Sequence, residues 1–183
     1  MIRGHIHYGI HAYLMWAHCL YFTIVRDPVE RIWSLWNYAK RHRTHHLYEE
    51  LNRLETLGAA VRSGVSVEFN NGMCRQLCGL DGPLPQTPYA DTRFPYDTDC
   101  KEVLDIVLDH LEHRRIAAGV TSNFDGFLAM MAEVFDWKNI DYQPTNAGRV
   151  RRPGDLSEAD FVAIHEYNAE DLLLWQYVLE AQK

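Results

Sequence analysis

The chain has 183 residues, a hydrophobic fraction of 47% and a charged fraction of 23%, which is the size and composition of one packed domain. These values exclude a disordered, collagen-like or coiled-coil chain, and no stretch approaches the roughly 20 unbroken apolar residues of a membrane span. The sequence has four cysteines and no signal-peptide pattern at its N-terminus. We therefore expect a soluble protein of a reducing compartment, located in the cytoplasm.

The net charge of −7 is unevenly distributed along the chain. Residues 1–63 hold 8 Lys and Arg against 5 Asp and Glu, whereas residues 64–183 hold 10 against 20. The acidic part repels nucleic acid and other polyanions, while the basic part can still hold a small anion. The charge distribution disfavours a nucleic-acid binder and is compatible with a phosphate or sulfate site.

A buried strand runs directly into a helix in the first quarter of the chain. Residues 20–25 (LYFTIV) are apolar throughout, which predicts a strand buried on both faces. Asp27, Pro28 and Glu30 suit the N-cap, first and third positions of a helix. We predict that this helix runs to about Arg41. A strand followed directly by a helix is typical of α/β proteins.

The rest of the chain predicts one more strand and five more helical regions. The strand covers 116–121, and the helical regions are 47–61, the residues after Asn71, 100–113, a helix capped by Ser122 or Asn123 and running to Phe135, and 157–181. Residues 80–99 contain five Gly and Pro residues without periodicity, which predicts a long loop. We expect an α/β fold with a small parallel sheet flanked by helices, as one domain over 1–183.

Apolar side chains at helical spacing mark the expected core. Trp33, Trp36 and Trp175 fall on apolar helix faces. Cys74 and Cys78 are four residues apart on a predicted helix, and we expect them to pack as small hydrophobes rather than to form a disulfide.

The residues at the first strand–helix junction suit an anion. Arg26 ends the strand at the edge where α/β sheets bind ligands, and the helix N-terminus adds N–H donors and a partial positive charge. Arg31 and Ser34 are three residues apart and share a helix face. Together these groups suit a phosphate. The alternative is that Arg26 forms a salt bridge with Asp27 or another carboxylate and Ser34 has no ligand; the spacing alone leaves both interpretations open.

Residues 21–41, YFTIVRDPVERIWSLWNYAKR, resemble the 3′-phosphate-binding segment of the Golgi-type carbohydrate sulfotransferases, the group that contains heparan sulfate 2-O-sulfotransferase and its bacterial relatives. Four more blocks are similar to segments of that family in the same order: GHIHYGIH at 4–11, FNNGMCRQLCG at 69–79, AGVTSNFD at 118–125, and 146–171. The resemblance covers most of the chain. It implies a fold related to the P-loop nucleotide kinases.

The resemblance implies an enzyme that transfers a sulfuryl group from 3′-phosphoadenosine 5′-phosphosulfate (PAPS) to a hydroxyl or amine of a carbohydrate-like acceptor, without a metal. Arg26 and Ser34 would hold the 3′-phosphate. His5 matches the family's catalytic base, and a neutral imidazole can accept a proton at neutral pH. The second histidine of the family motif is Arg3 here. Arg149 is a secondary candidate for the nucleotide phosphates, with a solvated basic turn as the alternative.

One segment of the family pattern does not occur in the 183 residues. Family members begin with a strand and a P-K-x-G-[ST]-[ST]-T loop that binds the 5′-phosphosulfate, whereas here no Lys precedes Lys40. We therefore expect a partial domain whose sheet lacks that strand and loop. We expect it to bind nucleotide weakly, to be a poor or inactive sulfotransferase and to self-associate through its strand edges. The alternative function is a truncated or degenerate relative, without catalysis, that acts as a nucleotide-binding or interaction module.

Several histidines near the N-terminus are candidate metal ligands. Its members are His5, His7, His11, His18 and Cys19, at irregular spacings that match no common zinc pattern. We therefore expect no metal cofactor.

Overall fold

The computed structural model describes residues 7–13, 19–79, 100–113, 115–142 and 156–182. In these ranges two strands, β1 (Tyr21–Val25) and β2 (Ile116–Val120), form a parallel sheet in which Val25 lies opposite Val120. This confirms both predicted strands and the mixed α/β class. The prediction that the first strand is buried on both faces is wrong, because Leu20 and Phe22 are 46% and 39% exposed. The sheet has no third strand among the described residues, and the predicted self-association through strand edges stays a prediction.

Eight α-helices accompany the sheet in the described ranges: α1 (Pro28–Arg41), α2 (Tyr48–Asn52), α3 (Leu57–Arg62), α4 (Gly72–Leu77), α5 (Lys101–Glu112), α6 (Phe124–Phe135), α7 (Glu158–Tyr167) and α8 (Ala169–Ala181). The start of α1 is as predicted, because Oδ1 of Asp27 accepts a hydrogen bond from the Glu30 amide at 3.1 Å. None of the helices in these ranges has both the length and the apolarity needed to cross a bilayer.

The prediction of one continuous helix over 47–61 is wrong. Helix α2 ends at Asn52, and α3 begins after Thr56, whose hydroxyl accepts from the Ala59 amide at 3.1 Å. Between the two helices, Lys40 Nζ donates to the Leu54 carbonyl at 3.1 Å. The chain turns here because a side-chain cap and a lysine from α1 satisfy backbone groups that a continuous helix would have paired internally.

Two apolar clusters form the core. The first packs α1 against α2, α3 and α7 and includes Trp33 and Trp36, each 8% exposed, as predicted. The second joins both strands to α4, α5 and α8 and contains the buried thiols of Cys74 and Cys78. Trp175 is half-buried against this second cluster.

Helix α6 packs closely on strand β2 at Gly119. A Cβ built on Gly119 would lie 2.4 Å from Cγ of Phe127, so no larger residue fits without moving the helix. This close approach holds the first turns of α6 against β2.

The predicted long loop over 80–99 lies outside the described residues. Three candidate regions lie outside them as well, namely those that contain His5, His18 and Arg149.

Candidate functional site

Two helix N-termini meet at the carboxyl edge of the sheet. Because β1 and β2 are parallel and in register at their last residues, the segments that follow them leave from one edge. Helix α1 begins three residues after Val25, and a 3₁₀ turn over Thr121–Asn123 leads from β2 into α6. Helix N-termini carry partial positive charge and unpaired N–H groups, so this edge attracts anions.

The first turn of α1 offers few backbone donors of its own. Pro28 has no N–H, the Glu30 amide is bound by the Asp27 side chain, and the Arg31 amide donates to the Asp27 carbonyl at 2.9 Å. Only the amide of Val29 remains outside these bonds. An anion at this helix must therefore be held mainly by side chains.

Arg26 is the cation nearest to this helix start in the chain, and it is engaged with a carboxylate. Its Nε donates to Oε2 of Glu30 at 3.1 Å, and the two side chains are 34% and 48% exposed. This contact matches the alternative that the sequence left open, with Glu30 as the partner. An exposed pair of this kind contributes about 0–1 kcal/mol, so a multiply charged anion can displace Glu30.

Glu30 and Ser34 are four residues apart on α1 and share a helix face, whereas Arg26 precedes the N-cap Asp27 and lies outside the helix. Ser34 is half-buried. Ser34 lies about 9 Å along the helix axis from Pro28, the first helical residue, so one phosphate reaches both Arg26 and Ser34 only if the Arg26 side chain extends along the helix. The Arg26 side chain does extend toward Glu30, whose position in the chain lies between Arg26 and Ser34.

Arg31 was expected to share an anion with Ser34, but its guanidinium is bound elsewhere. Nη2 donates to the Glu68 carbonyl at 2.6 Å and lies 3.4 Å from both the Asn168 Oδ1 and the Asp171 Oδ2 atoms. A Cβ at Gly72 would lie 3.0 Å from both terminal nitrogens of Arg31, so the glycine leaves room for the guanidinium. Arg31 therefore fastens α1 to α8 and is not available at the carboxyl edge.

Asn168 is the centre of a buried polar network that the sequence did not predict. It is 1% exposed, its Nδ2 donates to the carbonyls of Phe69 and Ile164 at 2.9 and 3.0 Å, and its Oδ1 accepts from the Asn71 amide at 3.2 Å. A signal existed, because Asn71 and Asn168 both lie in blocks that resemble the sulfotransferase family. Their pairing across the chain had no local signature.

The network also changes the chemistry of the nearby thiols. Burial, followed by the negative charge of Asp171, raises the pKa of Cys74 well above its ordinary value. Burial raises the pKa of Cys100 as well. Both thiols are therefore protonated at neutral pH, and neither is suited to be a nucleophile.

The structure places Arg26 just before the N-cap of α1 and Ser34 on that helix, and it does not describe His5 or Arg149. The exposed hydroxyls of Thr121 and Ser122 lie at the same edge, and α6 has no side-chain N-cap. Among the residues that the structure describes, no three or more His, Cys, Asp or Glu side chains are grouped as metal ligands would be.

Comparison with known proteins assigns no family. No protein-family model, curated protein or solved structure matches the chain. The resemblance to sulfotransferases rests on the sequence blocks alone, and the case for the site rests on its geometry.

Proposed function

We propose that the chain is a PAPS-dependent sulfotransferase of P-loop nucleotide kinase-like fold, and that the carboxyl edge of its sheet binds the 3′-phosphate of the donor. The observation that carries the proposal is the position of Arg26. It follows the last residue of a parallel strand, directly before a capped helix, at an edge where a second helix also begins. Ligands of open α/β sheets bind at this edge.

The contacts at Arg26 fit a phosphate group better than a carboxylate. A phosphate has three terminal oxygens and about two negative charges, so it can take the guanidinium from Glu30 and still accept a hydrogen bond from Ser34. A single carboxylate would only replace Glu30 with an equivalent group.

The start of α6 suits a second anionic group of the same ligand. Asn123 makes no side-chain hydrogen bond to the helix, so the first-turn amides of α6 are not capped by that side chain. Thr121 and Ser122 add exposed hydroxyls next to these amides. An adenosine bisphosphate has two phosphate groups, and two helix starts at one edge are compatible with such a ligand.

In the proposed reaction an acceptor oxygen or nitrogen attacks the sulfur of PAPS in line with the leaving group. The new bond to sulfur forms as the bond between sulfur and the 5′-phosphate oxygen breaks, and 3′-phosphoadenosine 5′-phosphate (PAP) departs. The acceptor proton passes to a base, which the family resemblance assigns to His5. Positioning and positive charge at the departing oxygen lower the barrier, as in phosphoryl transfer.

The proposed acceptor is carbohydrate-like and not highly anionic. Residues 64–183 hold 20 Asp and Glu against 10 Lys and Arg, so most of the chain repels a densely sulfated or carboxylated polymer.

Calorimetry with two nucleotides tests the 3′-phosphate assignment. The chain is titrated with PAP and with adenosine 5′-phosphate, which lacks only the 3′-phosphate. A charged hydrogen bond contributes about 1.5–3 kcal/mol, so we expect PAP to bind at least about tenfold more tightly. Equal affinity for the two nucleotides would remove the assignment.

Transfer of ³⁵S from labelled PAPS to a panel of neutral sugars and amino sugars tests catalysis. Labelled product supports the enzyme. Selective PAP binding with no labelled product from any acceptor favours the alternative, a nucleotide-binding module without catalysis.

A further inference from the structure

A cleft of about 560 Å³ lies at the amino edge of the sheet, the edge opposite to Arg26. It is lined by Tyr8, His11, Cys19, Leu20, Tyr21, Arg115 and Phe135. Tyr21 is the first residue of β1 and Leu20 directly precedes it, while Arg115 directly precedes β2. The volume is in the range of about 300–1,000 Å³ that is usual for small-molecule sites.

The walls of the cleft are largely aromatic. The rings of Tyr8 and Tyr21 have centroids 4.7 Å apart, and Phe135 is stacked on Trp137 with centroids 5.4 Å apart. Leu20 and Phe135 are nevertheless 46% and 39% exposed. Large apolar side chains that line a concave surface and remain exposed favour a ligand with a flat apolar part.

A histidine–tyrosine pair supplies an oriented hydrogen-bond donor. The backbone N–H of His11 donates to the Tyr21 hydroxyl at 3.0 Å, and the same hydroxyl oxygen lies 2.7 Å from Nδ1 of His11. In the arrangement proposed below, the hydroxyl oxygen accepts from the backbone and its own proton is donated to Nδ1. In that tautomer the ring carries its hydrogen on Nε2, which is the donor offered to a ligand.

Arg115 supplies the positive charge of the cleft. Its side chain is 47% exposed, and Nη1 donates to Oδ2 of Asp109 at 2.8 Å. An exposed ion pair of this kind is weak, and the guanidinium keeps further N–H groups for a ligand. Burial raises the pKa of Tyr8, while the positive charge of Arg115 opposes that rise, in agreement with a guanidinium close to the phenol ring.

We propose that this cleft binds a small aromatic monocarboxylate, with the carboxylate on Arg115 and the Nε2–H of His11 and the ring against Leu20 and Phe135. The planar guanidinium matches the two oxygens of a carboxylate. A phosphate dianion fits less well, because Arg115 is the one cation that lines the cleft among the described residues and the Asp109 carboxylate lies beside it. This site does not depend on the proposed nucleotide site, which occupies the other edge of the sheet.

Benzoate is the probe, titrated into the full chain and followed by ¹H–¹⁵N NMR. We expect saturable shifts of backbone resonances in residues 19–21 and 115–116, with a dissociation constant on the order of 1 mM. Cyclohexanecarboxylate, which keeps the charge but has no aromatic ring, and benzamide, which keeps the ring but has no charge, should each bind several-fold more weakly. Benzamide binding as tightly as benzoate would overturn the proposal.

Arg115→Gln should weaken benzoate binding about tenfold. Arg62→Gln is the matched control, because Arg62 is also half-exposed and also pairs with one carboxylate, that of Glu166 at 3.6 Å. The control should keep wild-type affinity. Equal affinities in the two variants would contradict the assignment of the carboxylate to Arg115.

The tautomer of His11 gives a second test that needs no Arg115 variant. Long-range ¹H–¹⁵N correlation should show the Nε2–H tautomer in the neutral ring, with an Nε2 shift that responds to benzoate. Tyr21→Phe removes the hydroxyl and keeps the ring, and should weaken benzoate several-fold. An Nδ1–H tautomer in the wild-type chain, or an Nε2 shift unmoved at saturation, would overturn the proposal.

Discussion

Asn71 and Asp171 cap each other's helices. Oδ1 of Asn71 accepts from the amides of Glu170 and Asp171, both at 3.0 Å, at the start of α8. The carboxylate of Asp171 accepts from the amides of Met73 and Cys74, at 3.0 and 2.8 Å, at the start of α4. Since Arg31 of α1 also contacts Asp171, this exchange of caps holds α1, the helix that follows Arg26, against α8.

Replacing Asp171 should therefore cost more stability than replacing any exposed carboxylate. Its side chain is 0% exposed, and Asp171→Ala leaves two amides without their acceptor and removes the carboxylate that is paired with the Arg31 guanidinium. We expect a loss of about 3–5 kcal/mol in the free energy of unfolding, measured by urea denaturation. Asp105→Ala, at an exposed position of α5, is the control and should change little. A loss below about 1 kcal/mol for Asp171→Ala would show that the caps are not needed.

Two residues other than glycine have positive φ among the described residues, and they should respond in opposite ways to glycine. Asn71 has φ 50° and Asp136 has φ 52°. Asn71→Gly relieves the backbone but leaves two buried amides unpaired, so we expect a net loss of about 1–3 kcal/mol. Asp136→Gly, at the exposed C-cap of α6, should stabilise by about 0.5–1 kcal/mol, because glycine suits a left-handed C-cap. Thermal unfolding of both variants measures these changes in stability. Stabilisation by Asn71→Gly would contradict the capping role.

The caps supplied by Asn71 and Asp171 could not be predicted from the sequence, whereas the cap of α1 could. The start of α1 is encoded by neighbours, since Asp27, Pro28 and Glu30 act within one turn. The cap of α4 comes from Asp171, far along the chain, and no local pattern reports such a contact.

The candidate site also combines contacts between chain neighbours, which the sequence predicts, with contacts between distant residues, which it does not. Arg26 lies at the strand–helix junction, and this position is predicted from the neighbouring residues. Its salt bridge with Glu30, four residues on, is also local and agrees with the alternative of a carboxylate partner. The Arg31 guanidinium is held by Asn168 and Asp171, which are far along the chain. The sequence therefore could not show that this cation is absent from the carboxyl edge. The break between α2 and α3 has a local signal in the N-cap residue Thr56, whereas the contact of the Leu54 carbonyl with Lys40 comes from another helix and has no local pattern.

Acid should destabilise the protein through the turn between α1 and α2. Burial, followed by the neighbouring His46, lowers the pKa of His45 below the ordinary histidine value of 6.5, and its Nδ1 accepts from the Leu47 amide at 3.2 Å. The unfolded chain then binds the proton more readily than the folded one, so this contribution to stability is complete above pH 6.5 and is lost as the pH falls below it.

Urea unfolding from about pH 8 to about pH 5 measures this dependence in the wild-type chain and in His45→Asn. The asparagine oxygen can still accept from the Leu47 amide but cannot be protonated in this range. We expect the variant to lose less stability on acidification than the wild type. The same pH dependence in both proteins would show that His45 does not contribute.

Removing the charge of Glu30 should strengthen nucleotide binding. Its carboxylate pairs with Arg26 and, in the proposed site, would compete with the 3′-phosphate for the guanidinium. Because exposed ion pairs contribute little, we expect Glu30→Gln to raise the affinity for PAP only about twofold to fivefold in calorimetry. Glu49→Gln, the same change of charge at an exposed position on α2, should have no such effect. A lower affinity in Glu30→Gln would mean that the carboxylate orients Arg26 and does not compete for it.

The most direct test of the nucleotide site compares two arginines of one segment. Arg26 precedes α1, and Arg41, whose Nε donates to the Asn37 carbonyl at 2.8 Å, ends it. In calorimetry with PAP, Arg26→Ala should lose about tenfold to a hundredfold in affinity, whereas Arg41→Ala should stay within about twofold of the wild type. The affinity for adenosine 5′-phosphate should change far less in Arg26→Ala than the affinity for PAP. Equal losses in the two variants, or no loss in Arg26→Ala, would contradict a 3′-phosphate site at the carboxyl edge of the sheet.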